Sequence, residues 1–143
     1  MIPEDINLLV KYRMEQSRAS IGDARILLEN SASFFGTVNR SYYAMFYAVL
    51  AILQLHELVP KKHTGAISLF DSEFVLKGTF QKELSKDLHR AFDLRQSSDY
   101  QVTQTVSREE AIDILDKAVL FVNAVEDYIK ARLCYRSEKG ASP

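Results

Sequence analysis

Arg95 is the residue from which a chemical role is argued first. On a helical wheel at 100° per residue it falls within about 20° of Leu84 and Leu88, so a guanidinium continues an apolar stripe. A charge in that position needs a partner or an opening, because burying it alone is costly. Asp99, four residues on, is one such partner, and the pair would then close the end of its helix. The alternative is a cleft in which Arg95 is held to meet a phosphate. Arg40 poses the same question at the start of the Ala44, Tyr47, Ala51 face: its stem packs while its head reaches water, or it too serves an anion. Lys61-Lys62-His63-Thr64-Gly65 opens a further helix, where backbone N–H groups and the helix dipole favour an anion; a solvated turn is the plainer alternative. Lys82, Lys86, His89 and Arg90 make a basic stripe that reads either as a polyanion surface or as an ordinary solvated helix face. The run Tyr42-Tyr43-Ala44-Met45-Phe46-Tyr47 has helical spacing and reads as core rather than as a base-stacking box.

Other chemistries are not written in the sequence. There is no Gly-rich phosphate loop, no His-Glu-x-x-His pair and no nucleophile elbow. The three histidines, His56, His63 and His89, fall at no metal-ligand spacing, so neither a metal nor a cofactor is expected. Cys134 is the single cysteine, which excludes an intrachain disulfide and a Cys-based zinc site; it reads as a bystander. Asn39-Arg40-Ser41 matches a glycosylation sequon within an apolar helix and reads as chance. A net charge of −1 is not that of a general nucleic-acid binder, though it leaves room for a local basic patch. The N-terminus lacks a basic then apolar leader, and the longest uncharged run, Ser41 to His56, is too short and Tyr-rich to span a bilayer, so a cytoplasmic protein is expected.

The elements that must position these residues are helical. With 143 residues, 47% apolar, and only five Gly and three Pro, the chain fits one domain of long helices. The spacing predicts helices over about 3–30, 33–58, 62–77 and 80–97, and a fifth from Ser107. Pro3 with Glu4 and Asp5 suits a helix start, and Gly22 suggests a close contact or a bend. The second helix is apolar on two sides, so it is central or shared between the core and a dimer interface. Gly78 supplies a stop and Thr79 a candidate cap. Ser107-Arg108-Glu109-Glu110 is a capping box. Residues 1–135 are expected to form the domain and 136–143 a frayed tail.

Three segments carry a family resemblance. Asn39-Arg40-Ser41-Tyr42-Tyr43-Ala44-Met45-Phe46-Tyr47-Ala48 resembles the signature helix of HEPN proteins, in the branch with an Arg-x-Tyr-Tyr-Ala-x-Phe-Tyr helix. Pro60 to Gly65 resembles that branch's Pro-Lys-x-His-x-Gly turn, and Leu94 to Tyr100 its Leu-Arg-x-x-x-Asp-Tyr motif. The order is the family's, over about residues 5–132. The resemblance implies an all-α, antiparallel four- or five-helix up-and-down bundle that forms a homodimer. It also implies partnership with a minimal nucleotidyltransferase, often as a toxin–antitoxin pair. Many members are metal-independent ribonucleases that use an Arg, four to six residues, then a His, across the dimer interface. Arg95 matches that arginine, but Tyr100 stands where a histidine would. A tyrosine near its ordinary pKa of about 10 is a poor general base at neutral pH. His63, from another helix, is the candidate replacement. The expected site is thus Arg95 with His63, Asp99 and Tyr100, and the expected RNA or nucleotide phosphate contacts are Arg40, Lys61, Lys62, Lys82, Lys86 and Arg90. The favoured expectation is a non-catalytic or weakly catalytic partner of the nucleotidyltransferase that holds RNA or nucleotide phosphates at a dimer cleft; a ribonuclease with a rearranged site, and a pure interaction module with Arg95 and Asp99 paired for structure, are the alternatives.

Overall fold

The helix that carries most of the chemistry is also the one most enclosed by protein. In the computed structural model, which describes residues 4–100 and 105–141 (side chains excepted at 97–100 and 134–141), the chain is an antiparallel up-and-down bundle. Its helices are α1 (Glu4–Glu29), α2 (Phe34–Leu55), α3 (His63–Phe70), α4 (Lys82–Tyr100) and α5 (Arg108–Ala141). α2 packs against α1, α3, α4 and α5. Its residues Tyr42, Met45, Val49, Ile52 and Leu53 are fully buried, as are Ala44, Ala48 and Ala51 on its other sides. Apolar residues on several faces leave such a helix no solvent-facing solution, which is why it becomes the axis. The alanines Ala44 and Ala51, read as possible interface residues, are covered within the chain.

Local chemistry sets the helix ends. Ser33 is the N-cap of α2, its hydroxyl accepting from Gly36 N at 2.8 Å. A Cβ on Gly36 would lie 3.0 Å from Leu27 and from Ser33 Oγ, so the α1–α2 corner uses the missing side chain. Gly22 meets nothing within 4 Å and α1 runs through it unbroken; the expected contact or bend is absent. At α5 the capping box forms as expected: Glu110 N donates to Ser107 Oγ and Ser107 N to Glu110 Oε1, both at 3.1 Å. Ser107→Ala is expected to cost about 1 kcal/mol, read as a drop in the thermal midpoint. α5 is helical to Ala141, so its backbone continues into the stretch read as a tail.

The third helix departs from the expected continuous rod over 62–77. After Phe70 it widens into a π-helical turn, Asp71–Val75, and Gly78 stops it at φ +83. The amides of Thr79 and Phe80 both turn back to the carbonyl of Phe74, at 2.8 and 3.1 Å. α4 therefore begins at Lys82 rather than Phe80, Thr79 does not cap it, and Phe80 is drawn into the core.

One ion pair ties the first helix to the last. Arg18 Nη2 reaches Glu126 Oε1 at 2.5 Å, and Arg18 Nη1 donates to Asn123 Oδ1. The hydrogen bond from Arg18, aided by its charge, holds the Glu126 carboxyl below its ordinary pKa despite partial burial. Because the folded-state pKa is depressed, this contribution is present above the unfolded value and disappears as pH falls through the folded one. The Glu126→Gln chain is expected to lose less stability than the wild type between neutral and acid pH, as read by denaturant midpoints. With Arg18 more than a third exposed, solvent screening keeps the effect small.

Candidate phosphate-binding site

α2 and α4 bring two arginines to one aromatic ring. Arg40 and Tyr43 are one helical turn apart on α2. The Arg40 guanidinium carbon lies 4.9 Å from the Tyr43 ring centroid. Arg95, from α4, lies 5.0 Å from that same centroid and 5.4 Å from that of Tyr42. Arg40 donates through Nε and Nη2 to Asn39 Oδ1 at 3.2 and 2.8 Å, a neutral partner that leaves its charge uncompensated by that bond. Two guanidiniums near one ring can both offer donors to an anion that reaches this part of the surface.

The floor below the arginines is core. Tyr42 is fully buried, stacked at 5.9 Å on Phe46 and tilted at 5.7 Å against Phe92 of α4. Leu88, also fully buried, anchors α4 on the face that Arg95 extends. Arg95 is half-buried, as the apolar stripe required.

His63 joins this wall from the start of α3. Its ring stacks on Phe46, centroids 4.0 Å apart and planes 19° from parallel. Its Nδ1 lies 3.5 Å from Tyr42 Oη, the outer limit of a hydrogen bond. Although much of the residue is exposed, burial of the ring against this wall lowers its pKa, and the positive charge of Arg95 lowers it further. Tyr42 is pushed up to about 12 by burial, with Arg95 opposing and Tyr43 adding to the rise. At neutral pH the imidazole is therefore neutral and the phenol protonated. The cluster combines two fixed cations with one group able to accept a proton. Lys62 is the N-cap of α3 and supplies no side-chain acceptor to its first-turn amides.

The stretch that holds these residues also matches a known family. The HEPN domain pattern matches residues 10–128, most of the chain. The chain belongs to the HEPN family. Among relatives, "Putative toxin MJ0142" of Methanocaldococcus jannaschii is 35% identical over 111 residues, covering 78% of this chain and 76% of the relative. A UPF0332 protein of Thermotoga maritima is 36% identical over 122 residues, covering 85% and 92%. "Putative toxin MJ0605", also of Methanocaldococcus jannaschii, is 31% identical over 130 residues, covering 91% and 96%.

Of the residues singled out for this HEPN chain, the fold assembles Arg40, His63 and Arg95, with Lys61 and Lys62 exposed in the turn leading into His63. It does not bring Lys82, Lys86 and Arg90 to them. Lys86 and Arg95 are nine residues apart on α4, which places them on opposite sides of the helix. Arg90 is ion-paired with Asp113 of α5. The basic stripe is thus a separate face. The backbone of α4 reaches Asp99 and Tyr100, beyond the expected end near Ser97, but their side chains, like that of Cys134, lie outside the described residues. Among the described residues no group of three or more His, Cys, Asp or Glu is placed to hold a metal, and no helix is long and apolar enough to cross a membrane. What the sequence reading missed is the second role of Tyr42, Tyr43 and Phe46. Tyr42 and Phe46 are core, as read, Tyr43 is half-buried against it, and together they are also the surface on which Arg40, His63 and Arg95 meet. The three-residue spacing of Arg40 and Tyr43 was the available signal.

Proposed function

We propose that this HEPN protein is the toxin-type member of a toxin–antitoxin-type pair and that its Arg40/Arg95 cluster takes the phosphate of an RNA chain. The observation that carries the reading is the convergence of two guanidiniums on Tyr43. Planar forked donors suit phosphate oxygens, and a half-buried setting strengthens each charged hydrogen bond. Lys61 and Lys62 extend the positive charge along the approach to His63. The toxin names of two relatives support the toxin role. Family membership supports a homodimer, in which the cluster lines the cleft between copies, and a minimal nucleotidyltransferase as the partner protein. A salt titration of RNA binding tests the reading: phosphate contacts make the logarithm of affinity fall linearly with the logarithm of salt. RNA binding that is absent at low salt, or indifferent to salt, contradicts it.

His63 favours a second reading, metal-independent RNA cleavage. It supplies beside Arg95 the neutral imidazole that the Tyr100 position lacks. In that reading Tyr42 accepts from His63 Nδ1, and Nε2 takes the proton of a ribose 2′-OH. The 2′-oxygen bonds to the adjacent phosphorus, the bond from phosphorus to the 5′-oxygen breaks, and the leaving oxygen takes up a proton. The arginines stabilise the charge that builds on the phosphate.

A further inference from the structure

Three groups surround the Tyr43 ring. The guanidinium carbons of Arg40 and Arg95 lie 4.9 and 5.0 Å from its centroid, and the His63 ring lies 6.1 Å away, edge-on at 83°. Two of these are cations at any working pH; the third becomes one only by taking up a proton. Its setting suits either form. The imidazole lies flat on Phe46, centroids 4.0 Å apart, and an aromatic face attracts a cation. Tyr42 Oη, 3.5 Å from Nδ1, can donate or accept, so that contact survives a change of protonation state. The groups facing the ring are Tyr42, Tyr43 and Phe46 of α2 and Arg95 of α4, with Lys61 and Lys62 in the turn before it. Among the described residues no carboxylate hydrogen-bonds it. In the free chain the charge of Arg95 opposes protonation. A phosphate held beside Arg95 reverses that opposition, because it offsets the guanidinium charge and offers the imidazolium an acceptor.

We propose that RNA binding at this cluster takes up a proton at His63, so that the site holds RNA more tightly as the pH falls. The proposal rests on the phosphate-binding reading of the cluster. Linkage fixes its sign: a ligand that favours the protonated ring raises that ring's pKa, and protonation raises the ligand's affinity by the same factor. Affinity is flat while free and bound chains both carry a neutral ring. It climbs as the pH passes below the pKa of the bound chain and levels once both are protonated. In a chain that cleaves RNA, the proton that tightens binding also halts cleavage, since an imidazolium has no lone pair to accept the 2′-OH proton.

The probe is a 2′-O-methyl oligouridylate, which has neither a base that titrates near neutral pH nor a 2′-OH to cleave. Filter binding to the full chain at fixed salt is expected to show affinity rising about three- to tenfold from about pH 7.5 to about pH 5.5, a pKa difference of one unit between free and bound chains giving at most tenfold. His63→Gln should abolish the rise while leaving the affinity at about pH 7.5 within about twofold of wild type. His89→Ala, on the separate basic stripe, should keep the rise. Calorimetry at about pH 6 in buffers of different ionisation enthalpy should register proton uptake on binding by the wild-type chain, which keeps the test decisive if His63→Gln fails to fold. Salt-sensitive binding with no proton uptake and no dependence on pH, or a rise that persists in folded His63→Gln, overturns the proposal and leaves the phosphate reading standing. No binding at any pH overturns both.

Discussion

Arg95→Ala is expected to lower RNA affinity about 10- to 100-fold, corresponding to one lost charged hydrogen-bonding group of about 1.5–3 kcal/mol. The salt slope should also fall by about one unit. The magnitude follows from position. Arg95 sits half-buried against two tyrosine rings, where water competes less for its donors. Arg95→Lys should recover only part of the loss, because an ammonium keeps the charge but not the planar fork. Lys86→Ala is the matched control: the same helix, an exposed side chain and the opposite face. It should leave affinity nearly unchanged, as read by filter binding at fixed salt. If Lys86→Ala costs as much as Arg95→Ala, RNA follows the basic stripe instead.

For a chain that cleaves RNA, His63→Ala should reduce the cleavage rate by about 10²–10⁴, the usual range for losing a positioned general base, with RNA affinity close to wild type. The pH profile carries the signature. Burial and Arg95 lower the His63 pKa below 6.5, so cleavage should be flat across pH 7 and fall only at more acid pH. Stability follows the same sign. The unfolded chain takes up the proton first, so folding loses stability as pH drops below 6.5, and His63→Ala should blunt that loss. Cleavage by His63→Ala at the wild-type rate, with the same acid limb, removes the imidazole from the chemistry.

The helical skeleton was legible because its signals are local. Apolar spacing located all five helices, the Ser107–Glu110 box marked the start of α5, and the two-sided apolarity of α2 foretold its central place. The π-helical turn was not legible, since Asp71 to Val75 looks like any amphipathic helix until Phe74 has received two amides from beyond Gly78. At the site, the wheel position of Arg95 pointed inward correctly because Leu84 and Leu88 are on its own helix. Its meeting with Arg40 and His63 depends on how α2, α3 and α4 pack, and no spacing along one helix encodes that. The basic stripe is separable from Arg95 on the sequence alone, because the helical period puts Lys86 on the other side of α4. His56 and Tyr128, 72 residues apart, meet only in the folded bundle.

The convergence of Arg40 and Arg95 is tested most directly by a double-mutant cycle in RNA binding, using Arg40→Ala, Arg95→Ala and the double variant at one salt concentration. If the two guanidiniums hold one phosphate, the double variant loses less than the two single losses added together, with a coupling of about 0.5–3 kcal/mol. Losses that simply add, or wild-type affinity in the double variant, would contradict it.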